Sequence, residues 1–233
     1  MQQHGLRGIH QPMLALHPLP VLPRPQRQYV LDLDSYQHVI FISANAVRYG
    51  LACIDDVWPQ LPTGIHWYAI GATTARLLSQ RGLQPLSPAE KMDSEGLLAL
   101  PELMQVRDHR VLIVKGEGGR QTLRDVLTDR GARVDELACY RRKCPELPAG
   151  KLAQILNEQQ VGTVLISSAE GLSNMLTLLS DTENTKFRNI ELIVPSSRVA
   201  AVAQQAGFTN ITTAANASDH AMLEALLNRR GGE

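Results

Sequence analysis

The residues best suited to chemistry in this chain sit in five short turns: Ser43-Ala44-Asn45, Gly71-Ala72-Thr73-Thr74, Gly116-Glu117-Gly118-Gly119, Ser167-Ser168-Ala169 and Pro195-Ser196-Ser197. Each ends a short apolar run and precedes a helical pattern. A helix entered through a tight turn starts with backbone N–H groups that lack intrahelical partners, and its dipole puts partial positive charge at the same end. With Ser and Thr hydroxyls beside them, such turns suit an anion. Five of them in 233 residues point to recognition of a negatively charged ligand.

The elements that must carry these turns follow from pattern. Short β-branched runs predict strands at Val39–Ile42, Trp67–Ile70, Val111–Val114, Val134–Leu137, Val164–Ile166, Leu192–Val194 and Phe208–Thr212. Helical patterns between them stop at Gly82, Gly131 and Gly207, where glycine supplies the left-handed residue that ends a helix. Strand, turn, helix and glycine in repetition describe a parallel α/β sheet. Four prolines between Pro18 and Pro25 fit neither helix interior nor central strand, so about 18–27 reads as a linker. A second linker is expected at about 140–147. Between them, 28–139 forms one α/β domain inserted into a discontinuous first domain of 1–22 plus 145–233. Ser43 and Gly71 are 28 apart, as are Ser167 and Pro195, and the pairs are offset by 124, which suggests two similar halves.

Composition narrows the function. Formal net charge is zero, from 23 basic and 23 acidic residues, so no global field draws the chain to nucleic acid or an anionic membrane. The aromatic fraction is 4%, too low for a base-stacking module. Cys53, Cys139 and Cys144 form no Cys-x-x-Cys pair, which fits a reducing compartment. No secretory h-region or membrane-length apolar run is present, so the cytoplasm is the expected location.

The familiar motifs fail. Gln121 occupies the place of the third glycine in a dinucleotide fingerprint, and no Gly-Lys-Ser/Thr follows Gly116. There is no Gly-x-Ser-x-Gly elbow. The seven histidines show no His-x-His or His-Glu-x-x-His spacing, so no metal is expected. Asp55-Asp56 reads as a solvated pair at a helix end.

In order, six segments carry a resemblance: Val39–Val47, Ala69–Ala75, Val114–Arg120, Leu137–Arg142, Ile166–Leu172 and Val194–Ala200. Together they resemble the uroporphyrinogen-III synthase family over nearly the whole chain. The resemblance implies two flavodoxin-like parallel-sheet domains joined by a two-stranded linker, with the site in the cleft between them. It also implies a cofactor-free lyase of tetrapyrrole and haem biosynthesis; a monomer is the expectation, since no coiled-coil heptad or long apolar edge demands a partner. The substrate it implies is hydroxymethylbilane, a linear tetrapyrrole with eight carboxylates. The hydroxyl leaves as water, ring D inverts through a spirocyclic intermediate, and the macrocycle closes. The enzyme that forms hydroxymethylbilane is the one implied protein partner.

The same resemblance assigns Tyr140 the role of proton donor to the departing hydroxyl. It places substrate contacts at Ser43, Ala44, Asn45, Gly71, Thr73 and Thr74, at Lys115, Gly116, Gly118, Gly119 and Arg120, and at Ser167, Ser168, Ala169, Ser196 and Ser197. An ordinary helix N-cap is the competing role for Ser43, Thr74, Ser168 and Ser197, and a solvated charge for Lys115 and Arg120. The family opens on a strand ending in Thr-Arg-Pro and a helix. Here Met1–Gly8 resembles the tail of that helix and Gln11–His17 the second strand. The expectation is a first sheet lacking an internal strand, with lower stability. A non-catalytic two-lobed α/β anion or effector module, or a degenerate synthase, also accounts for the turns, but the former gives Tyr140 no task.

Overall fold

The structure, a computed structural model, describes residues 5–19, 22–119 and 121–230. The chain divides into two compact units: one runs to Ala15 and resumes at Lys143, and the other is Leu16–Arg142.

The Leu16–Arg142 unit is built on strands β1 (Ala15–Pro18), β2 (His38–Phe41), β3 (His66–Ala69), β4 (Arg110–Gly116) and β5 (Arg133–Lys143). Their order is β1-β5-β4-β2-β3. β2 runs parallel to both β3 and β4, and β4 parallel to β5. Helices α1 (Arg24–Leu31), α2 (Ala44–Asp55), α3 (Ala72–Gln80), α4 (Ser94–Leu98) and α5 (Thr122–Asp129) connect them. The period-two alternation of the strands sorts their apolar side chains to opposite faces. Val39, Phe41, Leu112 and Val114 join Val30, Val47, Leu51, Ile54 and Leu78 on one face. Ile40, Val111 and Ile113 join Leu97, Leu98, Leu123 and Leu127 on the other. Central strands buried on both faces therefore read as continuous apolar runs.

Two segments differ from expectation. The proline-rich stretch does not remain a linker to 27, because α1 starts at Arg24 after Pro23, with a proline in its first positions. A proline there loses nothing, since that N–H has no helical partner. Trp58 then ties α1 down by donating from Nε1 to the Val30 carbonyl at 2.7 Å. The second expected linker begins inside β5, whose ladder carries on to Lys143. Beside it, Leu19 N–H donates to the Cys139 carbonyl at 3.1 Å.

The other unit holds β6 (Thr163–Leu165), β7 (Glu191–Val194) and β8 (Ile211–Thr213), all parallel in that order. Around them lie α6 (Lys151–Glu158), α7 (Ala169–Leu178), α8 (Asp181–Phe187), α9 (Ser197–Gln205) and α10 (Asp219–Arg230). Leu192 and Val194 face Leu172, Met175 and Val199, while Ile193 packs with Leu6, Met222 and Leu226. Gly207, at φ +91°, ends α9, and Phe208 turns into the core instead of opening β8.

Residues 5–12 are not helical, so from Gly5 on the expected helix tail is absent, and Met1–His4 lie outside the described residues. The strand expected over Gln11–His17 as the second of the first sheet is not there: residues 11–14 are not strand, and β1 (Ala15–Pro18) pairs beside β5 in the five-stranded sheet, not with β6, β7 or β8. Among the described residues β6 is a terminal strand of its sheet. A cavity of about 400 Å³, lined by Leu6, Ile9, Leu152, Leu156, Leu165 and Met175, lies against it.

Candidate functional site

In the Leu16–Arg142 unit the chain leaves β2 for β3 on one side and later returns to β4 on the other. The turns after β2 and β4 flank this reversal of strand order, the place where open α/β sheets take ligands at the carboxyl ends of their strands. Ser43-Ala44-Asn45 and Gly116–Gly119 are those two turns.

Ser43 is the N-cap of α2, extended in backbone, and its Oγ accepts from Ala46 N–H at 3.0 Å. α2 reaches this position because Gly50 lets it close onto the sheet: a Cβ there would stand 2.4 Å from Val114 Cγ1. Tyr140 Oη lies 3.2 Å from Ser43 Oγ, in hydrogen-bond reach. The tyrosine is 7% exposed, and its carbonyl accepts from Glu117 N–H at 2.8 Å. Ser43, Gly116 and Tyr140, which are 97 residues apart at the extremes, thus meet at one point. Ala44 and Asn45 are half-buried in the first turn of α2. Gly118 and Gly119 are exposed, at φ +72° and +88°, a conformation that requires glycine here. Arg120 lies outside the described residues.

The Gly71 turn caps α3, with Gly71 itself as N-cap and Thr73 exposed beside it. Thr74 is not a cap; it is 4% exposed inside α3. Lys115 is also turned away from solvent, at 5% exposure, and its Nζ donates to Glu136 at 2.8 Å. Cys139, next to Tyr140, is buried and its thiol is pushed up to about 12 by burial, so it stays protonated and unreactive.

In the other unit, Ser168 caps α7 and accepts from Gly171 N–H at 3.1 Å. Ser167 and Ser168 are exposed, and Ala169 opens the helix. Ser196, not Ser197, caps α9, accepting from Val199 N–H at 3.4 Å; Ser197 is the first helical residue and is exposed. The caps fall at 43 and 71 in one unit and at 168 and 196 in the other, 28 apart in both.

Several residues here escape sequence reasoning. Tyr49, six positions beyond Ser43, packs its ring against Tyr140 with centroids 5.3 Å apart. Met92, 54% exposed, stands over Gly71, where a Cβ would be 3.7 Å from its own Cβ. Neither has a spacing signal. At the opposite end of the sheet, His38 Nε2 lies 2.9 Å from His109 Nδ1, its Nδ1 lies 2.9 Å from Tyr68 Oη, and its ring stacks on His66. Among the described residues no group of His, Cys, Asp and Glu is arranged to hold a metal ion, and no helix is long and apolar enough to cross a membrane.

The family model for uroporphyrinogen-III synthase HemD matches residues 1–224. The uroporphyrinogen-III synthase of Escherichia coli (strain K12) is 32% identical over 227 residues, 95% of this chain and 91% of that one. That of Salmonella typhimurium (strain LT2) is 34% identical over 191 residues, 81% and 77% of the two chains. Among solved structures, uroporphyrinogen-III synthetase from Helicobacter pylori 26695 has a TM-score of 0.63 at 16% identity, covering 93% of this chain and 91% of that one. A mutant uroporphyrinogen III synthase from the extremely thermophilic bacterium Thermus thermophilus has a TM-score of 0.55 at 19% identity, covering 95% and 88%. The fold is therefore shared with these structures, and this chain belongs to the uroporphyrinogen-III synthase family.

Proposed function

We propose that this chain converts hydroxymethylbilane to uroporphyrinogen III, as a hydro-lyase of tetrapyrrole and haem biosynthesis, with Tyr140 as its proton donor. Family membership supports the reaction. The observation that carries the assignment of Tyr140 is its meeting with Ser43 and Gly116 at the carboxyl ends of β2 and β4. In this reading the phenol gives its proton to the substrate hydroxyl, the C–O bond breaks, and water leaves. The carbocation that remains is delocalised over the pyrrole as an azafulvene. Ring D closes onto it, and the proton lost as that ring regains aromaticity balances the one the phenol gave. In the Leu16–Arg142 unit, substrate carboxylates dock on the donors at Ala44–Asn45, Gly71–Thr73 and Gly116–Gly119; the turns at Ser167–Ala169 and Ser196–Ser197 present donors of the same kind in the other unit. Holding a flexible chain so that its ends react is catalysis by orientation, and it decides between the inverted and uninverted ring.

The test supplies hydroxymethylbilane, oxidises the products and separates porphyrin isomers by chromatography. Isomer III is expected; isomer I alone, at the uncatalysed rate, refutes the reading and leaves a binding module. Loss of a positioned general acid typically costs about 10²-fold or more, so Tyr140→Phe is expected to lower kcat by that order with KM nearly unchanged. A wild-type kcat in this variant removes Tyr140 from the chemistry.

A further inference from the structure

The Tyr140 phenol is held more firmly than packing alone requires. Pairing between β4 and β5 is even up to Lys115 opposite Ala138, then jumps so that Gly116 faces Tyr140 and Cys139 is skipped. An inserted residue of this kind bends its strand and re-aims the side chain that follows. The ring consequently lies on Gly116, where a Cβ would be 2.7 Å from Cζ, 2.8 Å from Cε2 and 3.1 Å from Oη. Tyr49 covers the ring at an interplanar angle of 32°. These contacts fix where the phenol oxygen sits, and Ser43 Oγ is the group that meets it.

A serine hydroxyl has one proton and two lone pairs. Ala46 N–H occupies one lone pair of Ser43. We infer that Ser43 is a positioning residue for Tyr140: its O–H donates to the phenol oxygen, leaving the phenolic proton directed away from the protein and free for transfer. This rests on the reading of Tyr140 as proton donor. The bond strengthens as the phenol loses its proton, because a donor to an ionised oxygen is worth more than one to a neutral oxygen. It therefore favours the transition state over the ground state, which is the condition for raising kcat. Ser43 acts through Tyr140 and need not touch the substrate.

Ser43→Asp separates capping from donation. Aspartate caps a helix as well as serine does, but an ionised carboxylate only accepts, so the phenol must turn its proton onto it. Ser43→Thr keeps both functions. The expected result is an unchanged melting temperature for both variants, with kcat roughly tenfold lower for Ser43→Asp and near wild type for Ser43→Thr, as one weakened hydrogen bond to a charged group predicts. In a Tyr140→Phe background, Ser43→Asp should cause no further loss. An equal further loss there, or a raised KM with kcat unchanged, overturns the positioning role.

A second readout does not depend on catalysis. In protein carrying fluorotyrosine at its five tyrosines, the ¹⁹F resonance that disappears in Tyr140→Phe is that of Tyr140. It should move in Ser43→Asp and stay in place in Ser43→Thr. A resonance that does not move in Ser43→Asp refutes the bond between them. If it moves while Tyr140→Phe retains full kcat, the bond stands and the proton-donor reading is the part that fails.

Discussion

The His38 site makes the stability of the Leu16–Arg142 unit depend on pH, and the structure sets both sign and size. His38 is 3% exposed, with His66 on one side, His109 on the other and Tyr68 Oη at Nδ1. Burial is the largest influence on it and the neighbouring histidines add to it; together they lower its pKa from 6.5 to about 4. Tyr68 stays a neutral phenol, held upward by burial and by Glu102. In the folded protein Tyr68 O–H can donate to Nδ1 while Nε2–H donates to His109, which satisfies a neutral imidazole and leaves no acceptor role for an imidazolium. Between the two pKa values the unfolded chain binds a proton that the folded chain does not. The stabilisation is thus complete above 6.5 and is lost as pH falls toward 4.

The fall from 6.5 to about 4 corresponds to about 3 kcal/mol, and about 2 kcal/mol of it is lost between about pH 7.5 and about pH 5. That is a large share of the roughly 5–15 kcal/mol typical of a domain. The chain's two tryptophans, Trp58 and Trp67, both lie in this unit, so fluorescence-detected urea unfolding follows it without interference from the other. Wild type and His38→Gln are compared at the two pH values. Glutamine keeps a donor and an acceptor but does not titrate, so ionisations away from the stack cancel in the difference. The wild-type stability should fall with acid by about 2 kcal/mol more than the variant's. Equal pH dependence in the two proteins would show that His38 titrates normally and that the buried stack is solvated.

Further predictions concern the two sheets. Gly116→Ala drives a methyl into the Tyr140 ring; overpacking of this kind costs about 1–3 kcal/mol, read as a lower Tm, and the displaced phenol should reduce kcat as well. A Tm within error of wild type would mean that the ring moves aside freely. In β6, Ile166 N–H donates to Ile193 and Gly162 C=O accepts from Glu191, so by strand alternation the Thr163 and Leu165 amides point away from β7. Hydrogen exchange should be fast at Thr163 and Leu165 and slow at Val164 and Ile166; uniform protection along the four would reveal a partner on the open edge.

Much of this architecture is legible in the residues themselves. Apolar runs such as Val111–Val114 mark strands buried on both faces, and Gly82, Gly131 and Gly207 mark helix ends because each takes a left-handed conformation. Local chemistry also foretells that serines open α2, α7 and α9. It does not settle which serine of a pair does so: Ser196 and Ser197 have the same side chain, and only strand length decides which one caps. The proline run misleads because proline is as welcome at a helix start as in a linker. Long-range register is the least legible. His38 and His66 are 28 apart in sequence and become neighbours because β2 and β3 pair at those residues. Tyr49 meets Tyr140 because a bulge in β5 turns one ring toward the other. No spacing rule in one dimension contains either fact.

The capping serines have a consequence for the kind of force available to a ligand. Ser168 and Ser196 each spend one of two acceptor lone pairs on their own helix and keep the hydroxyl proton to donate outward, alongside the first amides of α7 and α9. These donors are dipoles. Their attraction fades within a few ångströms, does not titrate and adds nothing to a formal charge of zero. Unlike a lysine patch, whose reach shrinks as salt shortens the Debye length, such a surface, under the proposed function, grips an anion only after arrival and by shape. Under that reading it discriminates through the geometry of contact, with little call on long-range steering, and its grip depends less on ionic strength than that of a lysine patch.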